Sequence, residues 1–303
     1  MTEKRVVFDF DIEFSNGGGI QGRDFRLDIV GDDIDDKALV AYIVQDLRLL
    51  MVGRATILHK RIVAERHKRP SASAVPTDAG NDVRHVDLSH TIDSGMITYK
   101  GLPAPLVCDH ISRPGSRASY AEGTEFQIGR IDMVGNTGTY LDTPYHRYED
   151  GVDLAGLPLE AASGLPGVVV RVARGFGQAL DWTMFAGIEI AGRAVLVHTG
   201  WDVHWRTDQY FENHPFLTEA AAIYLRDWGA RLVGIDSLNI DDTADPHRPV
   251  HSVLLSAGIP IVEHMTNLNS LPVDGFHFFA PPPKVAHMGT FPVRAHAIIS
   301  VSA

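Results

Sequence analysis

Two short segments hold side chains able to bind a metal ion or move a proton. The first is Asn136-Thr-Gly-Thr-Tyr-Leu-Asp-Thr-Pro-Tyr-His146, which places Asp142 four residues before His146. In a helix that spacing would put both groups on one face. Pro144 stands between them and argues for a shaped loop instead. Taken alone, Asp-Thr-Pro also reads as an ordinary turn. The second segment runs from Val250-His251 to Ile-Val-Glu263-His264. A glutamate closing an apolar run such as Ile259-Pro-Ile-Val is costly to bury unless it is paired or metal-bound, and a salt bridge to an arginine would serve equally. A third stretch, Gly234-Ile-Asp236-Ser-Leu-Asn239-Ile-Asp241-Asp242, follows an apolar strand, where sheet enzymes carry site residues. Each of its residues singly reads as a turn cap. Asp142, His251 and Glu263 together supply the oxygen and nitrogen donors of a Zn²⁺ or Mn²⁺ site. That leaves His146 as an acid/base group.

The elements that must position these groups follow from the pattern of the 303 residues. At about 150 residues per domain, the length suggests two domains. Residues 1–68 read as a small ββαβ unit. Val6–Phe14 alternates apolar and acidic residues as a half-buried strand does, and Asn16-Gly-Gly-Gly19 breaks it. Phe25, Leu27 and Ile29 mark a second strand. Asp35 opens a helix whose Leu39, Ile43, Leu47 and Leu50 recur near helical spacing, and Thr56–Val63 is a third strand. Residues 69–83, rich in Pro, Ser and Ala, read as a linker. From 84 to 303, strands at Val168–Val172, Ala194–Val197, Leu232–Ile235, Pro260–Val262 and Val293–Val301 alternate with Gly/Pro turns. Thr218–Trp228 is the clearest helix, capped by Thr218, with Ala220, Ile223, Tyr224 and Trp228 on one face. The class is α/β, a loop-rich barrel or layered sheet.

Composition narrows the function. Apolar residues make up 45 % and charged residues 21 %, as in an ordinary globular protein. The net charge of −11 falls wholly beyond residue 70, since the first 70 residues carry 12 basic and 12 acidic side chains. Nucleic acid and anionic membrane are therefore poor partners. No run of apolar residues reaches membrane-spanning length, and the acidic N-terminus does not read as a signal peptide. The single cysteine, Cys108, precludes an intrachain disulfide and fits a reducing, cytoplasmic compartment.

From about residue 85 onward the sequence resembles the cyclase superfamily, which includes kynurenine formamidases and isatin hydrolases. That family carries the signature His-x-Gly-Thr-His-x-Asp-x-Pro-x-His, and Asn136 to His146 follow it with two changes. Val86-Asp-Leu-Ser-His90, His198-Thr-Gly-Trp201-Asp202, Gly234-Ile-Asp236-Ser, His251 and Glu263 match further segments in the family's order. The resemblance implies a β-barrel-like core with peripheral helices, a homodimer or homotetramer, and metal-assisted hydrolysis of an amide or cyclic amide. It implies metal ligands at the two early signature histidines, Asp142, His251 and Glu263, with His146 as the acid/base. Here both early histidines are replaced, by Asn136 and Tyr140. Three retained ligands can still hold one divalent ion, and Asn136 could add a weak amide oxygen suited to Mn²⁺ or Mg²⁺. Tyr140 could ligate only as a phenolate, which near an unperturbed pKa of about 10 would itself need the metal.

Three functions are expected from this pattern. The first is a hydrolase of an amide, lactam or lactone in a small aromatic or cyclic substrate, using one divalent metal (Mn or Zn, or Mg) and His146. The second is a metal-free cyclase or isomerase using His146 and the carboxylates, with Tyr140 donating to an oxyanion. The third is a non-catalytic binding module. Trp201 and Tyr145 are expected at the substrate, with Phe276, Phe278 and Phe279 nearby, although each aromatic singly reads as core.

Overall fold

The computed structural model describes residues 4–15, 17–29, 31–47, 49, 52–64, 82–172 and 177–301. The chain forms two compact units, Met1–Asp78 and Ala79–Ala303. The expected linker lies mostly outside the described residues, and its last two positions, Asp82 and Val83, already belong to a strand.

The first unit has the ββαβ order expected. Strands β1 (Lys4–Phe14), β2 (Gly19–Ile29) and β3 (Val52–Ala64) form an antiparallel sheet with β1 central, and helix α1 (Asp36–Asp46) lies between β2 and β3 in the chain. Val6, Phe8, Phe10 and Ile12, every second residue of β1, enter one apolar core with Leu27, Leu39 and Ile43, as strand alternation requires. The Asp35 carboxylate accepts from Ala38 N at 2.8 Å and caps α1. The helix ends at Asp46, short of the apolar repeat that pointed to Leu50, and Leu50 is outside the described residues.

In the second unit, nine strands among the described residues join in one mixed sheet. Their order is β15 (Thr290–Pro292), β7 (Tyr140–Asp142), β13 (Ile261–Glu263), β12 (Leu232–Ile235), β10 (Ala194–His198), β8 (Ser163–Arg171), β14 (Phe276–Phe279), β16 (His296–Val301) and β4 (Asp82–Asp87). The four strands β13, β12, β10 and β8 run parallel, and the flanking strands are antiparallel. Both faces are covered. Val169, Leu196, Val262 and Leu141 point into one apolar cluster, while Val168, Val170, Val195, Val197 and Ile261 point into the other. The second cluster is roofed by α3 (Glu219–Asp227) and α4 (Pro249–Ser256). A curled sheet with few helices is the layered α/β architecture expected. The expected strand Val293–Val301 is interrupted: β15 ends at Pro292 and β16 begins at His296.

Thr218 caps α3 as expected, accepting from Ala221 N. The buried face of α3 is Ala221, Ala222 and Leu225, not the aromatic face read from the sequence, and Trp228 stays 57 % exposed. Tyr224 instead stacks on Trp228 and Trp182. A separate two-stranded ribbon, β5 (Leu106–Ile111) with β6 (Ile128–Asp132), is exposed at every residue. The turn α2 (Arg113–Ser116) and the small parallel pair β9 (Ala179–Leu180) and β11 (Phe216–Leu217) complete the unit. No described helix is long and apolar enough to cross a membrane.

Candidate active site

Strand register builds the site. Tyr140 pairs with Glu263, and Asp142 pairs with Ile261 on one side and Thr290 on the other. Because alternate residues share a face, Tyr140, Asp142, Glu263 and Thr290 all project to the same side, opposite Leu141 and Val262. Gly289 allows β15 to approach: a Cβ there would lie 2.3 Å from His146 N. Thr143 N donates to Gly289 O at 2.8 Å. Thr290 Oγ1 thereby reaches both the Asp142 carboxylate and His146 Nδ1, the latter at 2.7 Å. The hydroxyl has one proton. Given to the acceptor-only carboxylate, it leaves Thr290 to accept from His146 Nδ1–H. His146 then presents a bare Nε2.

His251 comes from the first turn of α4. The orphan amides of that turn, Val250 N and His251 N, donate to Asp241 at 2.7 and 3.1 Å. The same carboxylate meets His251 Nδ1 at 2.6 Å. It therefore holds His251 with Nε2 turned toward Asp142 Oδ2 at 3.6 Å and Glu263 Oε1 at 3.8 Å. Donor atoms of Asp142, His146 and His251 all lie within 4.8 Å of one another. Asp142 Oδ2 is buried and has no hydrogen-bond partner.

The electrostatics of this corner call for a positive charge. Desolvation pushes the His251 imidazole down, but the carboxylates of Asp142, Asp241 and Glu263 outweigh it and raise it to about 10. A metal ion at the same point would supply that charge without the proton. An unpaired buried oxygen beside two imidazoles, one braced by a carboxylate, fits a Zn²⁺- or Mn²⁺-type ion.

Glu263 is held differently. Tyr140 Oη donates to its Oε2 at 2.5 Å, Asn239 Nδ2 to the same oxygen at 3.3 Å, and Ile240 N to Oε1 at 2.7 Å. Asn239 Nδ2 also donates to Tyr99 Oη, which donates to Leu238 O. Burial raises Glu263 to about 7, with Asp142 adding to the rise and His251 and Tyr140 opposing it. Burial, then the Glu263 charge, pushes Tyr140 well above its ordinary value. The Tyr140 hydroxyl thus has its proton engaged by Glu263.

Part of this cluster opens on a cavity of about 380 Å³, with Asp142 buried behind its wall. Asn136, Tyr140, His146, His251 and Glu263 line it, with Tyr99 and Asn239. Lys100, Arg147 and Arg248 add cations to its wall. Trp201 and Tyr145, expected at the substrate, are not among its lining residues. The Trp201 indole donates to Tyr210 O at 3.1 Å and packs on His204. Phe276 and Phe278 are core, and Phe279 stacks on His296. Asp236 also lies outside the cavity lining, accepting from Thr199 and Gly200. Asp241 and Asn239, which read as turn caps, prove to brace His251 and Glu263. Tyr99, Thr290, Arg147 and Arg248 carried no local signal. Among the described residues, His90 Nε2 and His264 Nε2 are also buried and unpartnered; the His264 ring lies among Tyr99, Tyr140 and Trp205.

The model of the cyclase family, described as "Putative cyclase", matches residues 86–242. A kynurenine formamidase of Geobacillus thermodenitrificans is 29 % identical over 211 residues, covering 69 % of this chain and 95 % of that protein. Isatin hydrolase A from Labrenzia aggregata, solved bound to benzyl benzoate, superposes with a TM-score of 0.63 at 25 % identity, over 72 % of this chain and 94 % of that one. A predicted metal-dependent hydrolase from Bacillus stearothermophilus superposes with a TM-score of 0.57 at 28 % identity, over 71 % and 98 %.

Proposed function

Given that the chain belongs to the cyclase family, we propose that it hydrolyses the C–N bond of an amide or lactam in a small aromatic substrate, aided by one divalent metal ion. The observation that carries this reading is the convergence of Asp142, His146 and His251 around an unpaired, buried Asp142 oxygen. The kinship with a kynurenine formamidase and an isatin hydrolase supports the bond type and the aromatic substrate. Two imidazoles and one carboxylate favour Zn²⁺ or Mn²⁺ over Mg²⁺.

Asp142, His146 and His251 would hold the ion. This assigns His146 to the ligand set rather than to the acid/base role that the signature implied. When bound there, the ion would supply a water whose pKa is lowered to about 7 and a polarised substrate carbonyl. Asp241 fixes the His251 ring, and Thr290 ties Asp142 to His146. Glu263, raised to about 7 by burial, is the group that takes the water's proton and returns it to the leaving nitrogen. The water oxygen bonds to the carbonyl carbon and the C–N bond breaks, giving an amine and a carboxylic acid that releases the second water proton to solvent as it ionises; in a lactam the two groups stay on one opened molecule. Arg147 and Arg248 donate to the neutral acceptors Ser252 Oγ, Asn239 Oδ1 and Asp242 O. On a chain of net charge −11, these wall cations favour a substrate with an anionic end. The test is an assay on aryl formamides and lactams. Activity should vanish with chelator and return with Mn²⁺ or Zn²⁺; full activity in chelator would instead support a metal-free cyclase or isomerase.

The setting is read as cytoplasmic from the lone Cys108. The assembly is read as a homodimer or homotetramer. Support comes from the β5–β6 ribbon, where Leu106 and Ile131 are 53 % and 57 % exposed, and from Phe126 just before β6, 54 % exposed. A free two-stranded ribbon is marginally stable in water. Ile131→Asp should shift the sedimentation of the protein to that of a single chain; sedimentation as a single chain before mutation would refute the assembly.

A further inference from the structure

We infer that Tyr140 keeps Glu263 out of the metal's ligand set, so that His146 becomes the third protein ligand. The inference rests on the metal-dependent reading above and assigns its ligands. Tyr140 and Glu263 face each other across β7 and β13, and both are buried. Three donors are spread over the Glu263 carboxylate: the Tyr140 hydroxyl and the Asn239 amide on Oε2, and Ile240 N on Oε1. Moving that carboxylate onto a metal would strand a phenol and an amide in a buried place, which is the expensive way to lose a hydrogen bond.

Asp142 is the contrary case. Its Oδ1 takes the Thr290 proton, and its Oδ2 takes none. His146 is aligned by the same threonine through Nδ1, the nitrogen that lies 3.7 Å from Asp142 Oδ1. The ligand atoms that converge are therefore those of Asp142, His146 and His251. Three protein ligands leave positions for water and a substrate carbonyl, as catalytic metal sites require. Tyr140 is a positioning residue: it sets the ligand count by keeping the Glu263 carboxylate off the metal.

The test is calorimetric titration of Mn²⁺ and Zn²⁺ into the metal-stripped full chain. His146→Ala should weaken binding about 100-fold, the scale of losing a group the metal depends on. Glu263→Gln should shift it less than about threefold. Tyr140→Phe should release Glu263 and tighten binding about tenfold, and the gain should disappear in the Tyr140→Phe/Glu263→Gln double variant. If Glu263→Gln weakens binding as much as His146→Ala was expected to, or His146→Ala leaves it intact, the inference is overturned while the metal-dependent function stands. If Tyr140→Phe folds and binds no more tightly, the role of Tyr140 is overturned. If the unmodified chain binds neither ion, the function reading falls as well. Should Tyr140→Phe not fold, His146→Ala against Glu263→Gln still decides the ligand set.

Discussion

Asp142 and Glu263 lie on neighbouring strands, project to the same side and are both fully buried. Their surroundings are opposite. Glu263 has donors on both oxygens, from a tyrosine, an asparagine and a backbone amide. Asp142 has a donor on one oxygen and none on the other, and two imidazoles stand beside it. A buried carboxylate oxygen without a partner costs free energy. The fold tolerates it at Asp142 and removes it at Glu263, one register step away. The first corner is arranged for a cation; the second is closed by protein hydrogen bonds. One residue, Tyr140, separates the two fates.

The largest expected effect comes from erasing the open corner. Asp142→Asn keeps the shape and removes the charge, and kcat/KM should fall about a thousandfold, equal to about 4 kcal/mol of barrier. Metal content should fall with it, as read by mass spectrometry of the purified variant. A smaller effect is expected behind the site. Asp241→Ala removes the brace on His251 and the cap of α4. Metal affinity should weaken about 10- to 100-fold, and unfolding free energy should fall by about 1 kcal/mol, measured by urea titration.

The smallest effect sharpens the comparison with another buried carboxylate, away from the cavity. Asp236 lies outside the cavity lining and accepts from Thr199 and Gly200. Burial raises it from 3.8 to about 7, against those hydrogen bonds. Between those values the folded state holds a proton that the unfolded state has released, so its contribution to stability falls as pH rises through that window. Asp236→Asn cannot titrate, and its stability should vary less over the same range. An unchanged pH profile would count against the raised value.

What could be read from the sequence depended on chain distance. Glu263 is conspicuous because a charge closing an apolar run is costly to bury, whereas Asp142, His146 and His251 stand out only together, as a donor set and through the family's segment order. The alternation of Val6–Phe14 and the Thr218 cap are local and were equally readable. Asp241 and Asn239 were visible but looked like turn caps, because a cap and a brace have the same local spacing. Thr290 lies 148 positions from Asp142, and Tyr99 lies 140 from Asn239. Contacts of that kind exist only once strand register is set. Trp201 illustrates the converse: an aromatic next to a familiar segment turned out to pack on its own loop.

The most direct measurement is anomalous X-ray scattering from crystals of the full chain grown with Mn²⁺ or Zn²⁺. One anomalous peak is expected about 2.0–2.2 Å from Asp142 Oδ2 and from a nitrogen each of His146 and His251, with Glu263 still bonded to Tyr140. A peak bonded to Glu263 with His146 turned away, or no peak at this corner, would contradict it.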